Sequence, residues 1–317
     1  MKKNKIVLLS ITSIFLFASC ASTPESSETK PAHHSKPPKA IISQETKEDT
    51  FIKSLEGISV QKLSSPKEIS KGKTFAAPFI FSVTKADGSP VENFALTITY
   101  PSEKTEEGII FGKTELITNA EGQVTFTAEQ PAFAAKSKVS AFPTPVSEDP
   151  SLPERLKPFT AEADWKVKSD LASKGAVLFV WDYNEKDRPV NNSYNIQAEF
   201  RGRGITMVGN GPVNETSYIG KPKALYKDTY DIIGGNQYGY LIYGTIKFDQ
   251  PVTENEEGDG YYCVLKAEIE AVNMKNGNKI YSAVTTYESK GKNWNECVSK
   301  GKDKLAELVV SDIIYGL

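Results

Sequence analysis

The stretch YYCVLKAEIEAVNMKNGNKIYSAVTTYESKG, from Tyr261 to Gly291, decides the fold of the C-terminal half of the chain. Apolar and charged residues alternate in its first part, which is the period of a strand with one buried face. Asn276-Gly277 is a favourable sequence for a two-residue hairpin turn, and Ile280 to Tyr287 then returns as the partner strand. The sequence therefore predicts an antiparallel hairpin whose odd-numbered residues face the core in the first strand.

The elements around this hairpin predict an α/β domain over residues 174–317. The run AVLFVWDYN is a strand covered on both faces, and a short helix follows with Asn191 or Asn192 near its cap. ITMV is a short strand, and KALYKDTYDIIGG is a helix that Gly234-Gly235 stops. A third strand, GYLIYGTIKF, precedes the hairpin. A closing amphipathic helix is predicted from an apolar stripe formed by Trp294, Val298, Leu305, Leu308, Val309 and Ile313. The predicted order is β-α-β-α-β-β-β-α.

Residues 51–169 have the pattern of an all-β sandwich. Phe79, Phe81 and Val83 alternate with polar or small residues before a turn at Asp87-Gly88. The same period of two recurs in further segments separated by turn residues, as several short strands of a sandwich require. The apolar positions of those segments are Phe94, Leu96, Ile98, Tyr100, Val124, Phe126, Phe159, Ala161, Ala163, Trp165 and Val167.

Two resemblances to known families accompany these patterns. The stretches VTKADGSPV, from Val83, and TNAEGQVTF, from Thr118, resemble the bacterial immunoglobulin-like modules of invasin-type and other envelope proteins. GYLIYGTIKF with MKNGNKIYSAVTTYESKG and a terminal helix looks like the α/β domain shared by the CsgG curli-secretion lipoprotein, the TolB amino-terminal domain and the middle domain of FlgT. The resemblance implies an envelope protein that binds or assembles. A secretion pore is not expected, because the insertion QPVTENEEGDG is too short and acidic for membrane-spanning strands.

The N-terminus predicts export and a lipid anchor. Lys2 and Lys3 precede an apolar stretch from Ile6 to Ala18, the layout of a signal peptide over residues 1–19. Ser19 directly precedes Cys20, so the site resembles a bacterial lipobox whose cysteine is acylated before the signal is cleaved. Phe17 stands where lipoboxes usually have leucine. An ordinary cleaved signal with an incidental cysteine is the alternative.

Residues 20–50 are predicted to be a disordered tether, since they are rich in Ser, Thr, Pro, Lys and Glu and poor in aromatic residues. Both histidines of the chain, His33 and His34, lie there. Residues 51–317 thus contain no histidine. This excludes a Ser-His-Asp hydrolase, a Cys-His enzyme and a histidine-bound zinc centre from that part of the chain.

Three clusters could bind ligands but have plainer explanations. The acidic residues of one loop, Glu254, Glu256, Glu257 and Asp259, lack the ligand spacing of a calcium-binding EF-hand loop. RGRGITMVGNG has neither the lysine of a P-loop nor the GxGxxG spacing. Arg201 and Arg203 could contact an anionic partner, but surface arginines are the commoner case. We expect no metal and no cofactor.

These observations predict a lipid-anchored, non-catalytic binding or assembly module of the bacterial cell envelope. Its expected contacts are the membrane, through the lipid, and unidentified envelope proteins. The net charge of −2 gives no basic face for nucleic acid. Ala21, after Cys20, favours sorting to the outer membrane. A surface-exposed adhesin is one alternative. A glycan hydrolase that uses carboxylates alone is another, with candidate acids Glu162, Asp164, Asp182 and Glu199.

Cys263 and Cys297 are candidates for a disulfide, because exported proteins fold in an oxidising compartment. With the turn at Asn276-Gly277, Cys263 pairs roughly with Ser289, and Cys297 stands on the inner side of the closing helix. The two side chains are therefore expected to approach each other. The alternative is that both remain buried thiols.

We predict that Cys20→Ser abolishes membrane association, because the acyl chains are the hydrophobic attachment expected for the mature chain. Fractionation of cells that express the wild type or the variant checks this. The lipoprotein prediction is wrong if the variant stays in the membrane pellet after a high-salt wash.

Overall fold

β-Strands dominate the fold and form three sheets. The computed structural model describes residues 45–317 except 106, 193, 212–215, 236, 255–257 and 259. Within these residues the strands are β1 (Ile58–Ser64), β2 (Ile69–Ser70), β3 (Phe79–Lys85), β4 (Ala95–Lys104), β5 (Ile109–Ile117), β6 (Gln123–Phe126), β7 (Ala135–Pro143), β8 (Ala161–Lys168), β9 (Ala176–Tyr183), β10 (Pro189–Asn192), β11 (Val208–Asn210), β12 (Tyr240–Glu254), β13 (Tyr261–Asn273) and β14 (Lys279–Gly291).

The helices lie mainly in the C-terminal half. They are α1 (Lys47–Ser54), α2 (Leu152–Leu156), α3 (Leu171–Lys174), α4 (Tyr194–Gly202), α5 (Pro222–Ile233) and α6 (Trp294–Gly316), with short 3-10 turns at Lys157–Phe159 and Thr216–Tyr218. In the described part of the chain, no helix combines the length and apolar composition needed to cross a membrane.

Two of the sheets lie in the first half and share one core. The first has the strand order β1-β3-β6 and the second the order β2-β8-β7-β4-β5. Phe79 of β3 and Trp165 of β8 stack with ring centroids 6.0 Å apart, so the sheets face each other. Phe81 and Val83 are fully buried, which confirms the predicted inner face of β3. The immunoglobulin-like classification of this region stays a prediction.

Helix α1 corrects the predicted end of the tether. The prediction placed residues 47–50 in a disordered segment, yet they form the first turn of this helix. Thr46 is the reason: its hydroxyl accepts a hydrogen bond from Asp49 N, and Asp49 accepts one from Thr46 N, a reciprocal capping box. Arg155 of α2 also donates to Asp49, at 2.9 Å. These contacts tie α1 to the folded region.

The third sheet and its helices follow the predicted order β-α-β-α-β-β-β-α, with further short elements between them. Its strand order is β10-β9-β12-β13-β14, and β11 also pairs with β9. Strands β11 and β12 run parallel to β9 on its two sides, whereas β12, β13 and β14 are antiparallel. Strand β9 is buried along nearly its whole length, as its unbroken apolar sequence predicts.

Two boundaries in this sheet differ from the prediction. Asn191 and Asn192 belong to β10 rather than to a helix cap, because they pair with Asp182 and Trp181 of β9, and α4 begins at Tyr194. The strand predicted from Ile205 begins instead at Val208. In both places backbone pairing with β9 decides the boundary, and a short local pattern does not contain that information.

Helix α6 covers one face of the third sheet. Asn293 caps it by accepting a hydrogen bond from Glu296 N at 2.9 Å. Val298, Leu305, Val309 and Ile313 are buried, in agreement with the predicted stripe. The stripe is wrong at Trp294, which is 42% exposed, and at Leu308, which is 37% exposed.

The end of α6 also contacts the first half of the chain. Ser169 N donates to Ile314 O at 2.8 Å, Lys104 Nζ donates to Gly316 O, and the Tyr315 hydroxyl donates to Glu68. Residues 45–317 accordingly form one compact unit. The predicted division into domains at residues 51–169 and 174–317 stays a prediction.

Candidate functional site

The face of the third sheet opposite α6 is only partly covered. Leu225 of α5 is buried against Val177, Leu241 and Val272, one from each of β9, β12 and β13. The helix ends at Gly234, which adopts the left-handed conformation with φ 71°, as the glycine pair in the sequence predicts. Beyond this helix the sheet surface is open.

Strand register brings polar side chains together on this surface. Tyr243 pairs with Glu270, and Glu270 with Ser282. One step further along, Glu268 pairs with Val284. These residues form the floor of a depression of ≈ 430 Å³ that we call the open-face groove. It is lined by Trp181, Tyr218, Ile219, Gly220, Pro222, Tyr243, Gly244, Thr245, Glu268, Ile269, Glu270, Ser282, Ala283 and Val284.

Gly244 is required in β12 beneath the groove. A Cβ atom at this position would lie 2.0 Å from the Glu268 carbonyl oxygen and 2.9 Å from the Ile269 Cα. Both are backbone atoms that cannot rotate away. Any other residue would therefore separate the two strands that form the floor.

Glu270 is the polar centre of the groove. The Tyr243 hydroxyl donates to its Oε2 at 2.5 Å, Lys279 Nζ donates to its Oε1 at 3.1 Å, and Ser282 Oγ lies 3.5 Å from Oε1. Burial opposes ionisation of Glu270, but the hydrogen bonds from Tyr243 and Lys279 outweigh it and hold the pKa of this carboxyl below its usual range. Burial, together with the bond to Glu270, raises the pKa of Tyr243.

Apolar and charged groups stand side by side in the groove. The Val284 side chain is 64% exposed, and Ile219 also lines the groove. Glu268 is exposed and ion-paired with Lys266 at 2.6 Å. Such an arrangement can contact an extended segment through apolar packing at Val284 and through hydrogen bonds to the two carboxylates.

The four carboxylates considered for glycan hydrolysis lie in three separate places, each beside a basic residue. Lys138 contacts Asp164 at 2.8 Å and Glu162 at 3.9 Å on the outer surface of β8. Hydrogen bonds from Lys138 and Lys166 hold the pKa of Asp164 far below its usual range. A general acid requires the opposite shift.

The other two carboxylates belong to the third sheet and its covering helix. Asp182 of β9 lies 3.2 Å from Lys302 of α6. Glu199 of α4 accepts a hydrogen bond from Arg203 at 2.6 Å. Asp182 and Glu199 are thus each held in an ion pair with a basic side chain.

Two of the remaining predicted candidates have structural partners, and six others lie outside the described residues. Arg203 also donates to Glu307 O at 3.2 Å. Glu254 accepts from the Tyr261 hydroxyl at 3.3 Å. Cys20, His33, His34, Glu256, Glu257 and Asp259 lie outside the described residues. In the part of the chain that the structure describes, no three His, Cys, Asp or Glu side chains are grouped as metal ligands.

Cys263 and Cys297 meet in the core beneath α6, as the hairpin register predicts. Cys263 pairs with Ser289, and the two sulfur atoms lie 3.4 Å apart as free thiols. The Ser289 hydroxyl donates to Cys297 O at 2.6 Å and fixes the start of the helix against β14. Burial raises the pKa of the Cys263 thiol. The disulfide stays a prediction.

Sequence reasoning did not find the open-face groove. The alternation of β13 shows that Glu268 and Glu270 face away from α6, but not what lies beside them. The wall formed by the 3-10 turn at Thr216–Tyr218 depends on long-range packing. The pairing of Tyr243 with Glu270 could have indicated the polar centre of the groove. This pairing follows once the register of β12 and β13 is known.

The sequence matches a family model described as "TP0693-like lipoprotein, C-terminal domain" over residues 175–314. This range covers the third sheet and most of α6. The match supports a bacterial lipoprotein located in the cell envelope. No curated protein sequence matches the chain.

Three solved structures each align with less than half of this chain. The PelC dodecamer from Paraburkholderia phytofirmans is 18% identical, with a TM-score of 0.29 over 45% of this chain and 87% of that one. The hypothetical protein CT253 from Chlamydia trachomatis is 11% identical, with a TM-score of 0.30 over 44% and 95%. Lipoprotein GNA1162 from Neisseria meningitidis is 16% identical, with a TM-score of 0.24 over 44% and 96%.

We predict that Tyr243→Phe raises the pKa of Glu270, because it removes a hydrogen bond that stabilises the carboxylate. A carboxyl whose pKa is depressed in the folded state contributes stability above its unfolded pKa and loses it as pH falls through the folded pKa. The variant should therefore lose this contribution at a higher pH than the wild type. Carboxyl-carbon NMR titration measures the pKa. Tyr261→Phe is the control, since Tyr261 donates to Glu254, and an unchanged Glu270 pKa in Tyr243→Phe would contradict the assignment.

We also predict that Cys263 and Cys297 are bridged in the exported protein. A loop of about 35 residues would be closed, which in the chain-entropy model stabilises the fold by about 3 to 4 kcal/mol. Mass spectrometry after alkylation in denaturant, without reduction, tests this. Cys263→Ala should show one modified thiol, at Cys297, and the unmodified sequence should show none at either position. Two modified thiols in that sequence would mean that the bridge is absent.

Proposed function

We propose that the protein is a lipid-anchored, non-catalytic binding module of the bacterial envelope, attached through Cys20 and engaging a protein partner in the open-face groove. The observation that carries the proposal is the groove itself, where an exposed valine stands beside two carboxylates on a rigid sheet. The family match to lipoproteins supports the anchor.

In this proposal the two halves of the chain have different roles. Residues 51–169 are an immunoglobulin-like sandwich that spaces the binding region from the membrane. Residues 174–317 are an α/β domain of the CsgG, TolB amino-terminal and FlgT-middle type that binds the partner. The proposed location is the outer membrane. The alternative, a surface-exposed adhesin, is the same module on the outer side of that membrane.

The proposed partner is an extended segment of an envelope protein with an apolar side chain next to a basic one. Val284 and Ile219 provide the apolar contacts. Glu268 has a side chain that is 56% exposed and forms an ion pair with the neighbouring Lys266. It can exchange that ion pair for one with the partner. A rim-exposed carboxylate of this kind selects a basic partner more than it adds affinity.

A non-catalytic role is supported by the state of the carboxylates. Glu162 and Asp164 share Lys138, and Asp182 and Glu199 each contact a basic side chain. In the groove, Glu270 is held as the carboxylate by hydrogen bonds, which disfavours its use as a proton donor.

The proposal predicts that a photo-crosslinking amino acid at Glu268 captures a specific envelope protein in intact cells. The matched control is the same amino acid at Glu162, whose side chain is 54% exposed on a strand of the other half. Adducts should form at position 268 and not at 162. They should disappear when Thr245→Arg is added, because the longer side chain fills the groove.

Three results would contradict the proposal. The groove is not the binding site if position 268 gives no adduct, gives the same adducts as position 162, or keeps its adduct in the Thr245→Arg background. Circular dichroism of each purified full chain verifies that the variants are folded.

A further inference from the structure

The outer edge of β14 is long and unprotected. Among the described residues, β13 is the one strand that pairs with β14. From Tyr281 to Gly291 the register with β13 is continuous, and the bulge lies before it, at Ile280. Native proteins usually shorten an exposed edge or interrupt it with charges, proline or bulges. The opposite edge of the sheet follows that rule, since β10 and β11 have four and three residues.

The central part of the edge carries no charge. Residues 281–287 read YSAVTTY, with Lys279 and Glu288 as the nearest charged residues on its two sides. Val284 is the middle residue of this segment and is 64% exposed. An uncharged, β-branched edge segment of this length is a template for pairing with another strand.

Apolar surface flanks the free edge on both faces of the sheet. Val284 lies on the open face, and Ile280, at the bulge, is 40% exposed. On the other face, Asp312 of α6 accepts a hydrogen bond from Tyr281, so this side of the helix lies over β14. Leu308 stands one turn before Asp312 on the same side and is 37% exposed. A strand added at this edge would cover apolar groups from both directions.

We propose that β14 pairs with β14 of a second copy of this chain, antiparallel about Val284, to join two sheets into one. This inference goes beyond the proposed function and does not depend on the partner in the groove. In an isologous pair the same surface must be complementary to itself, and the sequence around Val284 meets that condition.

The register about Val284 matches each position with a compatible one. Tyr281 faces Tyr287, Ser282 faces Thr286, and Ala283 faces Thr285 of the second copy. Lys279 points to the open face, as its contact with Glu270 shows, and Glu288 lies on the same face opposite Val264. In this register Glu288 of one copy lies opposite Ile280 of the other and one residue from Lys279, so these opposite charges are neighbours, whereas parallel pairing would align like charges.

Cysteine crosslinking of the full chain in its own membrane tests this register. At the two-fold axis, two Val284→Cys side chains would face each other at a separation compatible with a disulfide. Two Glu288→Cys side chains would stand eight residues apart along the strands, about 27 Å. Under mild oxidation, Val284→Cys should give a band of twice the monomer mass on a non-reducing gel, and Glu288→Cys should stay monomeric. Cys263 and Cys297 are fully buried, so the unmodified chain is the background control.

A second pair of variants tests the association without any crosslink. Val284→Lys places two like charges on the axis and should weaken dimerisation about tenfold or more, whereas Val284→Thr keeps a β-branched residue and should leave it unchanged. Sedimentation of the detergent-solubilised full chain measures both. The proposal is overturned if Val284→Cys stays monomeric, if Glu288→Cys crosslinks equally well, or if Val284→Lys dimerises as the wild type does. A strand from another protein at this edge would give the first of these results.

Discussion

The packing of α6 across one face of the third sheet is the interaction on which the rest of this region depends. Cys263, Leu265 and Ile269 of β13 are buried in that core. Because side chains alternate along a strand, each residue buried beneath the helix places its neighbours on the other face. A slip by one residue would put Glu268 and Glu270 beneath α6, where their charges would lack water. The core therefore fixes the register, and the register assembles the open-face groove.

The same helix connects the two halves of the chain. The last carbonyl groups of a helix have no partners within it and need donors from elsewhere. Here Ser169 N and Lys104 Nζ, both from the first half, donate to Ile314 O and Gly316 O. Asp170 adds a second link, since it contacts Lys71 at 3.5 Å and accepts from the Tyr240 hydroxyl. The C-terminal end of α6 is thus completed by residues that lie far from it in sequence.

The sequence was sufficient for features that depend on local periodicity. The turn at Asn276-Gly277 set the hairpin register, and Cys263 does lie opposite Ser289. The alternation in β3 and β13 identified the buried faces correctly. Helical periodicity failed at Trp294, where the first residue of α6 lies at the rim and its Nε1 donates to Glu185 at 3.2 Å. A stripe predicts which residues share a side, but not how far the neighbouring sheet extends.

Features that depend on distant contacts could not be predicted in this way. The capping box of α1 is local, but the attachment of this helix to the folded region involves Arg155, which is more than 100 residues away from Asp49 in sequence. The groove requires the 3-10 turn at Thr216–Tyr218 to lie over the strands, and no local pattern specifies that position. The exposed edge of β14 depends on the strand order of the whole sheet. Its uncharged segment was visible in the sequence, but its place at an edge was not.

The charges on the part of the open face that α5 leaves uncovered bear on the binding role proposed for it. Lys266 and Glu268 neutralise each other along β13 at 2.6 Å, and such an exposed pair contributes little to stability. It can therefore be exchanged for a pair with a partner at small cost. Glu270 is different, because Tyr243 and Lys279 already satisfy its oxygens. In the proposed function, a ligand that covers Glu270 would meet a carboxylate whose desolvation is already offset by fixed donors, so the centre of the groove would favour binding while its rim would select the partner.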